Sequence, residues 1–285
     1  MLELLEHLSQ SSSIGLHEGN MGYALCYLKQ YSVAKDKVYL KKGKNLLNDV
    51  AEGMAGTNDY SFATGVLGIG WGLEWLSQNK YLVTDTNEVL FEMDDLVYKL
   101  VLYTKPEDLT LEQGLLGRIL YLYKRIMHRN KNQDFYRESM LIECLNLCIG
   151  ELFMKIVDQK KMNLRPIACQ VHISSKLFIL MSKLLPLRLN GEVKTMMDLL
   201  AKKVILGVSS SHLEHTEADK RLYANALLNV GYSTNNKIWI KTANQSFNGG
   251  SKSLVFPDHL VVPKTLQVLS GKTNNYSWQE GWLLR

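Results

Sequence analysis

Gly65-Val66-Leu67-Gly68-Ile69-Gly70-Trp71-Gly72-Leu73-Glu74-Trp75-Leu76 is the stretch that decides the fold. From Val66 to Leu76 it is apolar on nearly every side, and a helix apolar all round is buried on all sides. Gly65 and Gly68 stand three apart at its start. Each costs about 1 kcal/mol of helix propensity, a cost offset where the backbone must pass close to a neighbouring helix. The stretch therefore reads as an inner helix whose first turn is crowded.

The same opening occurs twice more. Gly19-Asn20-Met21-Gly22 precedes YALCYL, and Gly114-Leu115-Leu116-Gly117 precedes RILYLY. The first glycines lie 46 and 49 residues apart, the period of a helical-hairpin repeat. Two degenerate copies follow, His172-Ile173-Ser174-Ser175 before KLFILM and Arg221-Leu222-Tyr223-Ala224 before NALLNV, with Ser175 and Ala224 in place of the second glycine.

The intervening segments carry a different pattern. Val89, Leu90, Met93, Leu96, Val97, Leu100 and Val101 form one face of a helix over 87–103. Asp85 followed by Glu88 predicts a capping box at its start. Leu40–Met54, Tyr136–Val157 and Leu189–Val208 read as further outer helices. Inner glycine helices alternating with outer amphipathic ones predict an all-α fold, an α/α toroid or an incomplete one, over residues 1–232. After Gly231 the chain turns rich in Asn, Ser and Gly, with KIWIKT and SLVFPDHLVVP read as extended segments. Residues 233–285 are expected to form an irregular C-terminal extension of the same domain.

The chain has 285 residues, 46% of them hydrophobic, enough for one large core, and only five prolines. The net charge of +5 comes from scattered basic residues, with 35–44 the one dense patch, so a nucleic-acid surface is not expected. There is no run of 18 apolar residues for a membrane span, and MLELLEHLSQ lacks the basic start of a signal peptide. Cys26, Cys144, Cys148 and Cys169 show no CxxC spacing and read as reduced thiols of a cytoplasmic protein.

At the glycine repeats the chain resembles the lanthionine synthetase C-like (LanC-like) family. The stretch FATGVLGIGWGLEWLSQNKYLVTDTNEVLFEMDD, Phe62 to Asp95, carries most of the likeness. HEGNMGYAL resembles that family's first glycine repeat and LEQGLLGRILYL its third. The resemblance covers roughly 15–130 well and fades towards 230. It implies an α/α toroid of the six-hairpin kind and, in active members, zinc that holds a cysteine thiolate for addition to a dehydrated Ser or Thr. Active members supply two cysteines and a histidine in motifs resembling W-C-x-G and C-H-G, and this chain has neither. The nearest remnant is Cys169 with His172; HLEH, with His212 and His215, is the only complement. The departure implies a member without zinc or other cofactor, a pseudoenzyme that binds a ribosomal precursor peptide or a peptide-modifying enzyme. A divergent active cyclase is the alternative within the family.

If the inner helices start at one end of the ring, the residues before each glycine pair converge there. Those are His17 and Glu18, Tyr60 and Thr64, Glu112 and Gln113, and Asp219. Their mixture of donors and acceptors reads as the polar rim of a binding pocket, with unpaired helix amides adding positive potential. Glu18, Glu112 and Asp219 could also act as an acid/base pair, as in a carbohydrate-active α/α-toroid hydrolase. The plainer reading is that acidic residues suit a first helical turn. Trp71 with Trp75, and Cys144 with Cys148, stand four apart and read as core packing rather than as ligand platforms.

Overall fold

In the computed structural model the described residues are 13–17, 19–106, 109–127, 134–157, 167–187, 189, 191–209 and 217–246. No strand occurs among them, so the fold is all-α as the sequence predicts. They fall into two compact units, one reaching Cys148 and one beginning at Ile149.

The first unit holds α1 (Asn20–Ala34), α2 (Lys37–Met54), α3 (Val66–Gln78), the single turn α4 (Thr86–Val89), α5 (Phe91–Tyr103), α6 (Leu115–Met127) and the start of α7 (Phe135–Val157). Helix α3 packs against α1 on one side and α6 on the other. These three are the glycine helices. Every residue of α1 from Asn20 to Leu28 is buried, and so is α3 from Val66 to Leu76 apart from Leu73. By contrast α2 buries only Gly43 and Val50, and α5 only Met93, Asp94 and Val97. Inner and outer helices are therefore distinguished by burial as the patterning expects. Trp71 and Trp75 belong to the core, at 3% and 2% exposure.

The second unit holds the rest of α7, α8 (Ile167–Leu184) with a 3-10 turn at Leu185–Leu187, α9 (Glu192–Ser209), α10 (Glu217–Thr234) and α11 (Lys237–Ser246). Helix α8 packs on α9 and α10, and α10 on α11.

Three local differences from the sequence reading have physical causes. The helix expected over 87–103 is broken at Leu90, whose backbone (φ −98°, ψ 12°) leaves the helical region. Asp85 still caps: its Oδ1 accepts from the Asn87 amide at 2.9 Å. KIWIKT, expected to be extended, lies in helix α11, because Asn236 Oδ1 accepts from the Ile238 and Trp239 amides and Trp239 packs edge-on against Phe178. The degenerate repeats do not start helices. His172–Ser175 and Arg221–Ala224 lie inside α8 and α10, which begin upstream at Ile167 and Glu217.

Candidate functional site

The three loops that lead into α1, α3 and α6 are joined backbone to backbone. The His17 amide donates to Ala63 O at 2.8 Å, and the Phe62 and Ala63 amides both donate to Glu112 O, at 2.9 and 3.0 Å. Gly15 lies so close to the second loop that a Cβ there would come 2.7 Å from Thr64 O. The first and second loops also fold back on the helices they feed. Asn20, Met21 and Gly22 donate to Ser13, Ile14 and Gly15 carbonyls, and Val66 donates to Asp59 O. These helix-start amides are thus satisfied by the chain seven residues upstream. The expectation of unpaired amides is corrected at these four positions.

The repeat glycines take their meaning from this fold-back. A Cβ at Gly117 would sit 2.5 Å from Leu111 O, six residues earlier, and 2.6 Å from the Phe62 Cβ of the neighbouring loop. At Gly68 it would strike Phe62 O, again six residues earlier, and come within 3.0 Å of the Leu16 Cβ. Gly19 meets the Ser13 carbonyl in the same way, at 2.9 Å. The crowding that the sequence assigns to a neighbouring helix comes instead from the loops. Close helix approach is served by two other glycines of the motif: a Cβ at Gly70 would strike Met93 Sδ of α5 and come 2.6 Å from the Tyr121 ring of α6, and one at Gly72 would come 2.5 Å from Met21 Cε of α1.

Around the joined loops the structure brings together five of the predicted rim residues. Tyr60, Thr64, Glu112 and Gln113 are exposed, and His17 is half-buried between the first and second loops. Thr64 Oγ1 donates to Asp59 Oδ2 at 2.5 Å, and Ser61 donates its amide to Asp59 Oδ1 at 2.8 Å. Partial burial would raise the Asp59 carboxyl, but these bonds from Thr64 and Ser61 hold it below the ordinary value. Glu18 lies outside the described residues. Asp219 falls in the first turn of α10, in the second unit, and its side chain is not among those described. Of the three carboxylates proposed for a hydrolase, only Glu112 has a described side chain.

About ten residues along α6, some 15 Å from the loops at helical rise, lies a second polar group that the sequence reading missed. Arg125, on α6, is 4% exposed and reaches three other helices. Its Nη1 donates to Glu74 Oε2 of α3 at 2.6 Å. Its Nε and Nη2 donate to the two carboxylate oxygens of Asp94 on α5, at 3.0 and 2.7 Å, and Nη2 also reaches Asn87 Oδ1 on α4 at 3.2 Å. Tyr121 donates to Asp94 Oδ1 at 2.6 Å, and Gln78 donates to Glu74 Oε1 at 3.0 Å. Burial would lower the Arg125 pKa, yet the bonds and charge of Asp94 and the charge of Glu74 raise it. Lys124, 5% exposed, lies 5.9 Å from the Trp71 ring centroid. Burial brings its pKa down to about 8, against the opposing pull of Glu74. One signal for this network is in the sequence. Glu74 is the sole charge in a helix apolar on all sides, and a buried carboxylate must have a partner.

A zinc site does not assemble among the described residues. Cys26, Cys144 and Cys148 are buried within helices and outside any disulfide. Burial pushes the Cys144 thiol up to about 11, with the nearby charges of Glu143 and Asp94 adding to it. No three His, Cys, Asp or Glu side chains stand together there. Cys169 and His172 occupy one face of α8 at i and i+3, but their side chains, like all of His212 and His215, lie outside the described residues.

The family model for lanthionine synthetase C-like proteins matches residues 10–166, more than half of the chain and all three glycine repeats. The chain belongs to the LanC-like family. Comparison with curated proteins found no match, and neither did comparison with solved structures. The matched segment ends before α8, so the LanC-like signature resides in the glycine-helix unit and in α7. The family is one associated with peptide modification. Among the described residues no helix is long and apolar enough to cross a membrane.

Proposed function

We propose that this LanC-like chain binds a peptide, either a ribosomal precursor or a segment of its modifying enzyme, at the joined loops, and does so without zinc chemistry of its own. One observation carries the proposal. Three loops from three inner helices are fixed to one another by main-chain hydrogen bonds, leaving Tyr60, Thr64, Glu112 and Gln113 exposed around them. A rigid frame with exposed mixed donors and acceptors suits an extended peptide, because the frame is already ordered before binding. Tyr60 adds a flat amphipathic ring at low entropic cost.

Binding of arrayed peptides, including any short peptide encoded beside the gene, tests this. Glu112→Ala combined with Tyr60→Ala should lose retention about tenfold, as expected for loss of 1–2 kcal/mol of contact. Lys41→Ala with Lys44→Ala, on the exposed face of α2, should retain peptide like the native chain. Equal retention by the two variants would remove the loops as the binding surface.

A further inference from the structure

Helix α5 carries an apolar stripe on the side away from the core. Phe91, Tyr98 and Leu102 are 50%, 40% and 43% exposed. Spaced by seven and then four residues, they fall within about 40° of one another around the helix. Along one flank of the stripe run Glu92, Asp95 and Lys99, acidic in the first half of the helix and basic beyond it. Single exposed apolar residues are ordinary on any surface. Three in register beside an ordered charge pattern are the mark of a helix-pairing face.

The pattern is complementary to itself in one arrangement only. In a parallel pair about a two-fold axis the two charged flanks lie on opposite sides of the seam and do not meet. In an antiparallel pair about a two-fold axis midway between Phe91 and Leu102, Phe91 of one copy meets Leu102 of the other. Asp95 then lies level with Tyr98 of the second copy. Lys99 comes level with position 94, between Glu92 and Asp95 on the same flank of that copy. An isologous contact repeats each of these pairings twice. The Asp95 side chain is 48% exposed, with Arg137 Nη2 3.6 Å from its Oδ1. Arg137 also stacks on Phe91, 3.7 Å from its ring centroid. That contact presents the ring in a fixed orientation at the end of the stripe.

We propose that α5 pairs with α5 of a second copy of this chain, antiparallel, to form a two-fold homodimer. The stripe lies along an outer helix and not at the joined loops, so the dimer and peptide binding are separate claims. Stable interfaces bury roughly 800 Å² per partner, more than three side chains supply, so the expected dimer is weak and its association is sought at high protein concentration. Sedimentation equilibrium of the full-length chain over a concentration series should show a monomer–dimer equilibrium. Leu102→Glu and Lys99→Glu should each weaken association about tenfold, the second by setting like charges face to face. Glu92→Lys added to Lys99→Glu restores an opposite-charge pair across the seam while Asp95 stays acidic, and should recover about half of the lost association on a logarithmic scale. Circular dichroism accompanies each variant, and because Glu92 and Lys99 are exposed, the charge-exchange pair reads out even if Leu102→Glu disturbs folding. A native chain monomeric throughout the series would overturn the proposal, as would a Lys99→Glu defect that the exchange does not rescue.

Discussion

Arg125 shows how much of this molecule rests on a single side chain. It offers one cation to two carboxylates from different helices, each with no exposed surface. Its planar guanidinium forms a two-point contact with Asp94 while still reaching Glu74, a geometry that lysine does not reproduce. Arg125→Met would leave both carboxylates short of charge in the interior, and should lower unfolding stability by about 3–5 kcal/mol. Urea denaturation measures it; a loss under about 1 kcal/mol would mean that the network is far more hydrated than its burial implies. Lys124 supplies a pH-dependent prediction. Its folded pKa, lowered by burial from 10.5 to about 8, means that the unfolded chain holds more protons between those values. Stability contributed through this group therefore rises with pH from about 8 upward, by at most about 1.4 kcal/mol per pH unit. Cys144, raised to about 11 from 9.0, works in the opposite sense above pH 9. The clean window is thus pH 8 to 9, where the native chain should gain stability relative to Lys124→Met. Parallel curves for the two would sink the assignment.

At the scale of the element, the glycines of the repeat are held by loops. Gly68→Ala and Gly117→Ala place a methyl against main-chain carbonyls of Phe62 and Leu111, atoms that cannot rotate away. Each should cost about 1–3 kcal/mol through overpacking. Gly56→Ala and Gly191→Ala, where an added Cβ meets nothing within 4 Å, should leave the melting temperature unchanged. Equal melts for all four variants would contradict the fold-back geometry. Much of this level was legible in the sequence: glycine pairs at a regular interval marked α1, α3 and α6, and a one-sided apolar pattern marked α2 and α5. What escaped it followed from missing information about neighbours. Nothing in the letters around Leu90 announces a break, and its apolar periodicity runs straight through. Ser175 and Ala224 imitate the repeat in spacing, but they lie inside helices that begin earlier, at Ile167 and Glu217.

At the scale of the whole molecule, the family and the all-α class were readable because they depend on recurring patterns. The placement of the residues expected at the rim was readable only in part. His17, Tyr60, Thr64, Glu112 and Gln113 meet around one set of loops, since each precedes a true glycine repeat. Asp219 precedes an imitation and lies in the second unit. The Arg125 network was hidden because its members come from four helices, and only Glu74 broke the local pattern. For the purified chain we expect no stoichiometric zinc by elemental analysis. One zinc per chain that is lost in Cys169→Ala would restore the cyclase alternative.

The joined loops have one more consequence, for how such a surface changes over generations. The hydrogen bonds between His17 and Ala63, and from Phe62 and Ala63 to Glu112, run through main-chain atoms. No side-chain chemistry is spent on holding them, and of the substitutions at the donor positions only proline deletes the donor itself. Tyr60, Glu112 and Gln113 can therefore be exchanged for other residues while the frame beneath them persists. Under the peptide-binding role proposed for these loops, such a protein can acquire a new clientele one codon at a time, without first learning to fold again.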